Sequence, residues 1–79
     1  MAKWFKTKQG VRVAHLGHGL DLYVWFEGLA SLPAGAPAYN VSVFRQRLVD
    51  RSDDVANGKM RAEVVARSWL SEALIALSK

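Results

Sequence analysis

The 79-residue chain predicts an α+β domain: an antiparallel three- or four-stranded β-meander with one C-terminal α-helix packed on one face. Three observations predict it. Leu20, Leu22, Val24 and Phe26 alternate with Asp21, Tyr23, Trp25 and Glu27, the period of two of a strand with one buried face. Val65, Ala66, Trp69, Leu70, Ala73, Leu74 and Leu77 recur at three- and four-residue spacing, which makes one stripe of a helix. Glycine-rich breaks separate short β-branched segments, as hairpin turns do.

The elements follow in order, with strands expected over about 3–8, 11–16, 20–27 and 39–48 and a helix over about 59–78. Trp4 to Lys8 reads either as a short strand hairpinned through Gln9-Gly10 or as the start of one longer strand with a glycine bulge. Val11 to Leu16 is a strand between turns, and Gly17-His18-Gly19 suffices for a hairpin into the next. Gly28 to Ala38 is a loop by its glycines and prolines, with Leu29 and Leu32 expected to fold back on the core or meet a partner. Tyr39, Val41 and Val43 share a face that Arg45 and Arg47 continue, so this strand must leave the core or bulge near Phe44. The helix starts either near Lys59 behind an Asn57 cap or in a broken turn capped by Ser52. A mid-helix glycine costs about 1 kcal/mol, so Gly58 favours the later start. Glu63 and Arg67 stand as an i,i+4 pair on it.

In this assembly Leu20, Leu22, Val24, Phe26, Val41 and Val43 meet Trp69, Leu70 and Leu74. One helix covers one sheet face. The other face then shows Tyr23 and Trp25 between Asp21 and Glu27, beside Asn40, Ser42, Phe44 and Gln46.

Composition narrows the function. A single domain over 1–79 is expected, small but with 51% hydrophobic residues, three Trp, three Phe and two Tyr to build a core. With no cysteine there is no disulfide framework and no Cys-based zinc site, and His15 and His18 lack a third ligand. No metal or cofactor is therefore expected. No nucleophile elbow, phosphate-cradling glycine loop or spaced carboxylate pair is present, so the chain does not read as an enzyme. No run of about 18 apolar residues suggests a membrane span. The basic start Met1 to Lys8 lacks the apolar core of a signal peptide, so a cytoplasmic protein is expected.

The net charge is +4, from eleven Lys+Arg against seven Asp+Glu, and it is uneven. Lys3, Lys6, Lys8 and Arg12 form one cluster, and Arg45, Arg47 and Arg51 form another. Asp21 and Glu27 are the only charges between them. If the fold brings the clusters together, they make a patch for phosphates or an acidic protein surface; apart, Lys3, Lys6 and Lys8 suit protection of a sheet edge. The candidate partner-binding residues are Tyr23, Trp25, Arg45, Arg47, Arg51, Lys6 and Lys8. The aromatics offer buried area and the arginines charge-assisted hydrogen bonds. The same residues suit a protein partner, a second copy of the chain joined through the uncovered sheet face, or a small nucleic-acid-binding module. Asp21 and Glu27 disfavour the last by repelling phosphate.

Leu22-Tyr23-Val24-Trp25 on the second strand, the Asn57-Gly58 break and the helix Ala62 to Leu70 resemble small proteins of phages and integrated elements, over residues 10–78. In size and lack of cysteine the chain also resembles anti-CRISPR proteins, the phage-encoded inhibitors of CRISPR–Cas complexes. The resemblance implies a non-enzymatic protein of the host cytoplasm. It would bind a type I surveillance complex of Cas proteins and block target-DNA binding or nuclease recruitment. A +4 chain departs from the acidic DNA-mimicking inhibitors. It would have to use acidic protein surface or the nucleic acid already bound.

Overall fold

A computed structural model describes residues 2–27 and 33–78. Over these described residues it is an α+β fold of five antiparallel strands and one helix: β1 Trp4–Lys6, β2 Arg12–His15, β3 Asp21–Phe26, β4 Tyr39–Val43, β5 Gln46–Arg47 and α1 Val55–Leu77. The sheet order is β1-β2-β3-β4-β5, so every strand pairs with its chain neighbour. Leu29 and Leu32 lie outside the described residues.

The fifth strand corrects the expected count. The segment expected as one strand over 39–48 is a hairpin: Val43 pairs with Gln46 around a two-residue turn at Phe44 and Arg45, whose φ values are 51° and 70°. Two left-handed residues in succession define the turn that matches the twist of flanking strands. Asn-Gly is its usual sequence, which is why Phe-Arg concealed it. Folding back also resolves the parity conflict, because Arg47 lands opposite Ser42 instead of prolonging the Val41–Val43 face. At the start of the chain the hairpin alternative holds. The Thr7 amide donates to the Val11 carbonyl at 2.8 Å and Gly10 takes φ 84°.

The helix starts earlier than expected. Asp54 is its N-cap, accepting from the Asn57 amide at 2.7 Å, while Ser52 exchanges two backbone hydrogen bonds with Tyr39. Gly58 therefore lies inside the helix, and it is buried. A Cβ there would stand 2.8 Å from Val24 Cγ1. The glycine lets the helix approach β3 closely, and this contact outweighs its poor helix propensity.

The core is Ala14, Leu22, Val24, Val41 and Val43 from the sheet against Ala62 and Ala66 of α1. Burying each larger aliphatic stabilises the fold by about 1.5–3 kcal/mol. Trp69 packs at its edge, its ring centroid 6.1 Å from that of Phe44. Phe44 thus sits on the helix side, not on the opposite face. Glu63 accepts from the Ala2 amide at 3.0 Å and from Trp4 Nε1 at 3.3 Å, tying the first strand to the helix; it makes no ion pair with Arg67.

Leu70 and Leu74 do not join the core. A 23-residue helix is about 34 Å long, whereas the longest strand, of six residues, spans only about 20 Å. The helix outruns the sheet, and every residue from Leu70 to Ser78 is exposed. Phe26 is likewise 62% exposed at the other end, edge-on to Tyr39.

Candidate functional site

The face of the sheet away from α1 is set by strand parity. Leu22 and Val24 point to the helix, so Asp21, Tyr23 and Trp25 point away from it. Register then builds rows across the sheet. Phe5, Val13, Tyr23, Ser42 and Arg47 form one row through all five strands, and Trp25 pairs with Asn40 in the next.

Val13, Asn40 and Ser42 are buried although no helix covers them. In the sheet register they lie beside Phe5, Tyr23, Trp25 and Arg47, and Tyr23 and Trp25 are themselves half-buried. The aromatics thus form a supported platform, not freely projecting side chains.

Both acids of this face are engaged. Asp21 lies opposite His15, with Oδ1 2.5 Å from Nδ1, and the imidazole packs on Phe5 with centroids 5.2 Å apart. Glu27 accepts from Asn40 Nδ2 at 2.9 Å and from Arg51 Nη2 at 3.4 Å. The Asn40 hydrogen bond, with help from Arg51, holds its carboxyl below the ordinary carboxylate value. Arg47 is exposed and has no ion pair among the described residues, and the buried Arg51 Nε has no hydrogen-bond partner. Glu27 is thus paired with Arg51, and Arg47 is left as a cation of this face without an ion pair among the described residues.

The structure brings together four of the seven candidate residues: Tyr23, Trp25, Arg47 and Arg51. Arg45 sits exposed at the β4–β5 turn. Lys6 is on β1 opposite Arg12, with helix-side parity, and Lys8 is in the β1–β2 turn. The two basic clusters do not meet, because β1 and β5 are opposite edges of the sheet, roughly 19 Å apart. The His15–Asp21 pair is a contact that reading the sequence missed. The signal is present there, since a three-residue turn at 17–19 puts those two positions opposite each other.

Two hollows flank the helix on the other side of the sheet and touch none of these residues. Among the described residues no group of three His, Asp or Glu gathers as a metal-holding set, and no helix is long and apolar enough to cross a membrane. Comparison with protein-family models, with curated proteins and with solved structures finds no match to the chain.

Proposed function

We propose that the chain is a non-enzymatic binding protein whose contact surface is the helix-free sheet face and whose partner is an acidic protein surface. The observation that carries this reading is the convergence of Tyr23, Trp25, Arg47 and Arg51 on one face, where Glu27 is paired with Arg51, Asp21 is hydrogen-bonded to His15, and Arg47 has no ion pair among the described residues. Supported aromatics beside cationic hydrogen-bond donors are the chemistry of an interface hot spot.

The finer proposal is inhibition of a type I CRISPR–Cas surveillance complex in the host cytoplasm by occlusion. Bound to a Cas subunit, the domain would block target DNA or nuclease recruitment without chemistry of its own. The test is retention of a purified type I complex on the immobilised protein, beside Trp25→Ala and Arg47→Ala variants. Capture by the native chain that both substitutions reduce at least tenfold supports the reading. Absence of capture removes the surveillance complex as partner. Capture indifferent to both substitutions removes the sheet face. The nucleic-acid alternative predicts a mobility shift at about 50 mM salt that fades steeply as salt rises.

A further inference from the structure

The first strand leaves backbone groups at the sheet edge that the proposed function does not use. The Thr7 amide donates to the Val11 carbonyl at 2.8 Å, in the register that sets Lys6 opposite Arg12 and Phe5 opposite Val13. Antiparallel hydrogen bonding alternates along a strand, so Phe5 and Thr7 bond inward to β2. The N–H and C=O of Trp4 and of Lys6 then point outward, away from the sheet. Ala2 shares this parity, and its amide is met by Glu63 at 3.0 Å, which closes the edge just before Trp4. At the opposite edge of the sheet only Arg47 of β5 faces outward in this way, because Gln46 and Leu48 bond back to β4.

A hollow of about 530 Å³ opens beside this edge, between Trp4 and a flank of α1. Its walls are apolar at Met60 and Val64, which are 60% and 55% exposed, and its rim is cationic at Lys59 and Arg67. Lys59 Nζ stands 5.7 Å from the Trp4 ring centroid. The one acid in the lining, Glu63, is already taken up by the Ala2 amide and Trp4 Nε1. Lys3, Lys6 and Lys8 run along the edge itself, all exposed. Charge decides what such an edge accepts. Two copies joined through β1 would bring both lysine rows together, the device by which sheets refuse edge-to-edge pairing with themselves. An acidic strand meets attraction in place of that repulsion.

From the free edge, the hollow beside it and the lysines along it, we propose that β1 accepts an acidic, extended peptide segment as a sixth, antiparallel strand. Strand addition takes its affinity from main-chain hydrogen bonds and its selectivity from alternate side chains. The register says which. The incoming residues opposite Lys6 and Trp4 share the helix side of the sheet and bond to the free backbone groups. An acid suits the first. An aliphatic residue suits the second, since it reaches the hollow against Met60 and Val64. The residue between them lies on the other side against Phe5, 48% exposed, where a β-branched side chain packs well. Acids then face Lys8 before this core and Lys3 after it. In chain order the segment is Glu-Thr-Glu-Val-Leu-Glu. This edge includes none of Tyr23, Trp25, Arg47 and Arg51, and its test does not depend on the reading of that face.

The test is fluorescence anisotropy of that hexapeptide, end-capped and dye-labelled, titrated with the full chain at about 50 mM salt, where exposed charges are weakly screened. A dissociation constant on the order of 100 µM is expected. N-methylation locates the pairing. Methylating the leucine amide, or that of the second glutamate, removes a hydrogen bond to β1 and should weaken binding more than about tenfold. Methylating the valine amide, which faces away from β1, should change it less than about twofold. Lys6→Glu should weaken the native peptide about fivefold and favour one with lysine in place of the second glutamate. Lys6 is exposed, and far-UV circular dichroism checks that the variant stays folded. Absence of binding at about 1 mM peptide overturns the proposal. So does equal loss on methylating valine and leucine, or binding indifferent to the charge exchange. A single-stranded oligonucleotide that displaces the peptide and binds more tightly also overturns it, by making phosphate the ligand of the lysines.

Discussion

Gly58→Ala tests the packing at the centre of the fold. Alanine is the better helix former by about 0.8–1 kcal/mol, so on propensity alone the change stabilises. Its Cβ would stand 2.8 Å from Val24 Cγ1 and 3.3 Å from Cγ2. Val24 is 1% exposed, lies on the central strand and has a branched side chain with a single χ1 angle, so it has little room to give. Overpacking of this kind costs about 1–3 kcal/mol. The cost outweighs the propensity gain, and the net expectation is a loss of about 1 kcal/mol, with Tm lower by about 4–8 °C for a domain of this size. Val24→Ala opens the space the new methyl needs. In that background Gly58→Ala should turn stabilising, giving a coupling of at least about 1 kcal/mol in a double-mutant cycle. Urea and thermal unfolding measure all four corners. A rise in Tm for Gly58→Ala alone would refute the argument that close approach keeps the glycine there.

Three further outcomes follow from the same contacts. The Glu63 carboxyl is held below its ordinary value of 4.5, chiefly by the Ala2 amide hydrogen bond. Its folded-state pKa is lowered, so its stabilisation is complete above 4.5 and is lost as pH falls through the lower folded value. Glu63→Gln should reduce Tm at neutral pH, and the difference from the native chain should shrink as pH falls below 4.5; parallel curves would contradict this. Arg45→Gly should stabilise by about 1 kcal/mol, because Arg45 takes φ 70°, and urea midpoints showing no gain would count against strain at that turn. Trp69→Ala should cost about 2 kcal/mol through lost packing on Phe44, whereas Trp25→Ala should cost less stability and weaken partner binding by about 2 kcal/mol. Calorimetry of folding and binding on both variants separates the two roles, and the opposite pattern would mean that the functions of the two sheet faces are exchanged.

The chain's two parts of opposite habit are legible in its amino-acid order. Alternation at 20–27 specifies a strand with an aliphatic and an aromatic face, and three- and four-residue spacing specifies the C-terminal helix. Both are local properties, since side-chain direction repeats with the backbone and needs no distant partner. The Gly17-His18-Gly19 hairpin is legible for the same reason. The convergence of Tyr23 and Trp25 with Arg47 required tertiary structure, because it depends on a turn at Phe44-Arg45 that carries no turn-forming residue.

The largest departures concern what each periodic face meets. The spacing of Leu70, Leu74 and Leu77 determined that they share a stripe, but not that a sheet lies beneath them. Gly58 by itself looks like a helix boundary, and only the position of Val24 across the interface turns it into a packing residue. Periodicity is written by neighbours in sequence, so sequence alone determined which residues share a face. Whether that face is covered depends on the relative lengths of elements distant in sequence. Only the tertiary structure decided that the helix runs past its sheet and leaves Leu70, Leu74 and Leu77 exposed.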